Sequence, residues 1–105
     1  MLTRMRSFRI WKHELPVIYD RPVPIGVPRD ATIVSVDFQH GKLCLWEVHP
    51  VVSEPKTQPL KLILMTGTGI IFLMKEKTIF VPLKTFLLDG GNFVLHVFEI
   101  LEGDA

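Results

Sequence analysis

The sequence predicts an all-β domain, a small antiparallel sandwich or barrel of about six to eight strands. Three observations carry that expectation. Pro16, Pro22, Pro24 and Pro28 fall within 13 residues, and Pro50, Pro55 and Pro59 within ten. A proline inside a helix removes a hydrogen bond and clashes with the preceding turn, at a cost of about 3 kcal/mol, so neither region accommodates a helix of ordinary length. The remaining chain is dense in Val, Ile, Phe, Leu and Thr with alternating rather than 3.6-residue periodicity. Two strand-like pairs are each joined by a short glycine turn, His40-Gly41 and Gly90-Gly91.

From the N-terminus, Phe8 to Leu15 sets Phe8, Ile10 and Lys12 against Arg9, Trp11 and His13, the pattern of a first strand. Tyr19 to Val27 reads as extended chain, confined to a sheet edge by Pro22 and Pro24. The first hairpin joins residues 32–39 to 42–48. With His40 and Gly41 as the turn, Phe38 opposes Leu43, Val36 opposes Leu45 and Val34 opposes Glu47. Val34, Val36, Phe38, Leu43 and Leu45 then form one apolar face. The other face sets Ile33, Ser35 and Asp37 against Val48, Trp46 and Cys44.

Leu60 to Met65 reads as another strand and Thr66-Gly67-Thr68-Gly69 as a turn. Ile70 to Met74 is too short to classify, and Lys75-Glu76-Lys77 reads as an exposed connection. The second hairpin joins residues 78–88 to 93–101. It opposes Leu88 with Phe93, Phe86 with Leu95 and Lys84 with Val97; on the other face stand Leu87 with Val94, Thr85 with His96 and Leu83 with Phe98. Pro82 requires an edge or a bulge at its position. Both faces are largely apolar, more than a chain of this size readily hides.

The chain is read as one domain, 1–105, with 1–7 a basic N-terminal arm and 102–105 a short acidic tail. Its 105 residues carry 12 Lys and Arg against 11 Asp and Glu, a net charge of +1. No global field therefore draws the domain onto nucleic acid or anionic lipid. The longest uncharged, mostly apolar run, residues 62–74, is shorter than the roughly 20 residues of a membrane-spanning helix and is interrupted by glycines. A single cysteine, Cys44, excludes an internal disulfide. Neither nucleic acid nor a membrane is expected as a partner.

The ordered set Ile10-x-Lys12-His13-Glu14-Leu15-Pro16, Pro28-x-x-Ala31-x-Ile33-x-Ser35-Val36, His40-Gly41-x-Leu43-Cys44-Leu45-Trp46, Gly67-Thr68-Gly69 and Gly90-Gly91-x-Phe93-Val94-Leu95-His96-Val97-Phe98-Glu99 resembles a family of small uncharacterised bacteriophage and prophage proteins. The resemblance covers residues 8–99, and its most specific pieces are the Leu-Cys-Leu-Trp segment and the His-Val-Phe-Glu ending. It implies a phage origin and a compact β-fold, and it brings no catalytic residues. The family's loop after Gly-Thr-Gly is polar and contains proline. This chain continues Ile70-Ile71-Phe72-Leu73-Met74, so a reshaped loop is expected.

Reactive groups do not assemble into a recognisable motif. Gly67-Thr68-Gly69 has no third glycine, no following helix signal and no lysine, so it reads as a turn rather than a phosphate cradle. His13, His40, His49, His96 and Cys44, with Glu14 and Glu47, are the possible metal ligands. Glu47 and His49 share a strand face, yet no H-x-H, H-E-x-x-H or C-x-x-C spacing joins them to a third ligand. Cys44 lies in an apolar strand, where cysteine serves as a small hydrophobe. No catalytic residue, cofactor or metal is assigned, and a metal-dependent β-barrel enzyme is the more distant alternative.

The expected function is that of a non-enzymatic phage structural or interaction protein: a virion-associated accessory protein acting through subunit contacts. The alternative is a small phage protein that binds and modulates a host factor. Either places it in the host cytoplasm or the virion. Its expected partners are copies of itself in a homo-oligomer, other phage proteins, or a host protein. The candidate interface is Trp46, Phe80, Phe86, Leu88, Phe93 and Leu95; Arg4, Arg6, Arg9 and Lys12 form the candidate basic arm.

Overall fold

The structure is a computed structural model that describes residues 3–19, 21–51 and 60–102. Seven strands run in chain order: β1 (Phe8–Glu14), β2 (Val23–Pro28), β3 (Thr32–Gln39), β4 (Lys42–Pro50), β5 (Leu60–Gly67), β6 (Ile79–Leu88) and β7 (Phe93–Leu101). They form two antiparallel sheets, one ordered β1-β4-β3 and the other β2-β5-β7-β6. β1 lies over β2 and β3 over β6, the two sheets of a sandwich. Among the described residues no helix is long and apolar enough to cross a membrane.

Alternation fills the space between the sheets. Val36, Leu43 and Leu45 face Ile25, Val27, Ile63, Met65, Phe86, Leu95 and Val97 across the interior. Phe38 and Phe86 join the sheets at one end through an edge-to-face contact with ring centroids 4.9 Å apart. Each fully buried aliphatic side chain contributes roughly 1.5–3 kcal/mol relative to exposure.

Both hairpins form at the predicted turns. His40 (φ 52°) and Gly41 (φ 77°) both take positive φ, the conformation that matches a two-residue turn to strand twist. The second turn is a single 3-10 turn over Asp89–Gly91. Near the turns the pairs are those expected: Phe38 with Leu43, Val36 with Leu45, Leu88 with Phe93 and Phe86 with Leu95. Farther out, both registers change. In β3 a bulge makes Ile33 the partner of Glu47, and Val34 leaves the predicted apolar face to stand 55% exposed. In β6 the bulge makes Pro82, not Leu83, the partner of Phe98. One extra residue shifts the period-2 alternation, so side chains beyond a bulge change face.

The bulge in β6 also resolves the two-faced hairpin. Phe86 and Leu95 face the interior. Phe80, beyond the bulge, packs edge-to-face on Phe98 of the outer face, at 5.8 Å. The connection between β5 and β6 lies on that same outer face, where Phe72 packs on Phe80 at 6.1 Å. Leu64 and Ile100 alternate outward and are nevertheless buried there.

Candidate functional site: a buried carboxylate cluster and exposed apolar surfaces

β4 carries Leu43, Leu45, Glu47 and His49 on its inward side, so regular alternation takes a carboxylate into the same face as the core leucines. Glu47 is fully buried. Antiparallel pairing sets Arg9 opposite His49 and His13 opposite Leu45, placing both β1 side chains beside it. One Glu47 oxygen bonds His49 Nδ1, and Arg9 Nη2 lies 3.3 Å from His49 Nε2. Arginine only donates, so Nε2 is the acceptor and the ring proton sits on Nδ1, donated to Glu47. Arg9, His49 and Glu47 thus form a directed chain. The second Glu47 oxygen lies 3.6 Å from His13 Nε2, and neither atom has a hydrogen-bond partner among the described residues. A buried carboxylate needs such cationic or donor company. Here the direct donor is His49 of β4 itself, with Arg9 of β1 behind it and His13 of β1 beside the second oxygen, so the cluster ties β1 to β4.

Among the described residues no three His, Cys, Asp or Glu side chains converge on a common metal position. Arg9 occupies the outer nitrogen of His49. Cys44 is buried, and its Sγ contacts the Lys42 carbonyl at 3.5 Å. Thr68, the central residue of Gly67-Thr68-Gly69, places its hydroxyl 2.8 Å from His96 Nε2, while the Thr85 hydroxyl lies 3.0 Å from Nδ1. The Gly-Thr-Gly segment therefore orients an imidazole. Beside that imidazole is an open cleft of about 390 Å³ lined mainly by Ile70, Phe72, Phe80 and Phe98.

The six candidate interface residues separate. Trp46 lies half-buried on the outer face of the three-stranded sheet, and Phe80 and Phe93 are exposed. Phe86 and Leu95 belong to the core, so these two are corrected from interface to interior, while Leu88 is half-buried and packs against that core from its margin. The basic arm divides too. Arg4 and Arg6 precede β1 in exposed chain, whereas Arg9 and Lys12 lie within it on opposite faces. Arg9 turns inward to His49; Lys12 Nζ donates to Gln39 Oε1 at 2.8 Å, drawn across β4. The four cations do not form one patch.

The contribution of His13 was not visible in sequence, because it depends on the β1–β4 register. Ile71 and Leu73, within the segment where an altered loop is expected, are each 92% exposed. On the outer face of β1 and β4, Phe8 and Ile10, each 60% exposed, adjoin Val48, Pro50 and Trp46.

Fold and surface together define an all-β sandwich domain with an apolar outer sheet face and a polar cluster at its edge strand. The chain belongs to the family described as domain of unknown function DUF7352, whose profile matches residues 7–104. No curated protein and no solved structure matches it.

Proposed function

We propose that this chain is a non-enzymatic structural and interaction protein of phage origin, a virion-associated accessory protein that self-associates and acts through subunit contacts. The carrying observation is the contiguous apolar patch of Phe8, Ile10, Trp46, Val48 and Pro50 on the outer face of β1 and β4. Single exposed apolar residues are ordinary; a contiguous patch favours burial against another surface. The phage origin rests on the sequence resemblance that spans residues 8–99. Mass spectrometry of purified particles from a phage encoding this chain tests the reading. Stoichiometric presence supports it. Absence from the particle refutes the virion role and favours a host protein as partner.

A further inference from the structure

A sandwich has four edge strands, and each open edge is a template for pairing unless something interrupts it. Three edges here are interrupted. β2 contains Pro24 and Pro28 with an irregular register between them. β3 carries the bulge at Val34, and β6 carries Pro82 and its own bulge. β1 differs: its seven residues pair with β4 in unbroken register and contain no proline.

The hydrogen bonds reveal what β1 presents at its open side. At its two ends, the Val51 N–H donates to the Ser7 carbonyl at 2.8 Å, and the Leu15 N–H to the Leu43 carbonyl at 2.9 Å. Both bonds involve odd-numbered residues of this segment, and backbone direction alternates along a strand. The N–H and C=O groups of Phe8, Ile10, Lys12 and Glu14 therefore point away from β4, toward the open edge. Lys12, which would ordinarily guard such an edge, is drawn back to Gln39.

We propose that β1 pairs antiparallel with β1 of a second copy, with Ile10 on the two-fold axis, joining two three-stranded sheets into one of six strands. This rests on the reading that the chain self-associates and names the surface that does it. Charge complementarity selects both occupant and register. With Ile10 opposite Ile10 of the partner subunit, Phe8 meets Lys12 of the partner subunit and Arg6 meets Glu14 of the partner subunit. On the other face Arg9 meets Trp11 of the partner subunit, a cation–π pairing like the one Arg9 already makes at 4.9 Å within the chain. Centring the axis on Arg9 or Lys12 would oppose identical cations, and centring it on Trp11 would set Arg9 against His13 of the partner subunit and Phe8 against a carboxylate. The Ile10 axis also brings the apolar patches of both copies onto one continuous outer face.

The test is sedimentation of the full chain from micromolar to near-millimolar concentration, with circular dichroism as the fold control. The expected wild-type species is a dimer. Ile10→Pro removes an N–H that points to the open edge and no bond to β4, so it is expected to give a folded monomer. Arg6→Glu and Glu14→Arg are each expected to weaken the dimer about tenfold or more, since two-fold symmetry breaks each pair twice and introduces like-charge contacts. The double variant restores it. If Ile10→Pro does not fold, the charge exchange decides. A folded Ile10→Pro dimer, or charge variants without mutual rescue, overturns the β1 pairing and leaves self-association standing. A wild-type monomer throughout the concentration range overturns both.

Discussion

The end of the sandwich interior contains an ion pair whose removal has a calculable consequence. Lys61 Nζ donates to Glu99 Oε2 at 2.8 Å and to the Arg29 carbonyl at 3.1 Å; the two side chains are only 7% and 13% exposed. Lys61→Met keeps most of the apolar stem and deletes the ammonium. It leaves Glu99 buried without its cation and the Arg29 carbonyl without its donor. Breaking a buried pair in this way costs about 3–5 kcal/mol. That is a large fraction of the roughly 5–15 kcal/mol that holds a domain of this kind together. Replacing both partners, Lys61→Met with Glu99→Leu, removes the stranded charge and is expected to recover most of the loss. Urea unfolding followed by circular dichroism of the wild type, both single variants and the double variant gives the coupling energy. A Lys61→Met loss below about 1 kcal/mol would refute the reasoning, because water would then be reaching Glu99 and the pair would behave as a surface one.

Three further outcomes follow from the same structure. Leu45→Ala, at a fully buried position of β4, should cost about 2–5 kcal/mol in urea unfolding, since the sheets on either side cannot close over the lost volume. Glu47→Ala removes the acceptor of the Arg9–His49 chain and should cost about 2–4 kcal/mol, with hydrogen exchange accelerated in β1 more than in β5 or β7. Ile71→Ser with Leu73→Ser should leave unfolding free energy within about 1 kcal/mol of wild type, because both side chains already face solvent.

Local chemistry determined much of this protein. The prolines excluded helices, the two glycine turns located both hairpins, and alternation grouped Val36, Leu43 and Leu45 on one apolar face and Phe86 with Leu95 on another, although only the packing of the two sheets made those faces the interior. Those features are legible because a turn type and a period of two are properties of neighbouring residues. Tertiary structure decided the facing of everything beyond the bulges at Val34 and Leu83. A bulge is chosen by how a strand must bend to pack, and its single extra residue reverses the assignment of side chains such as Phe80 far from any turn signal. Tertiary structure also made the polar cluster. Glu47 and His49 share a face by strand periodicity alone, but Arg9 and His13 reach them only through the β1–β4 register. That register joins residues some 30 to 40 positions apart in the chain, a separation over which no sequence periodicity operates.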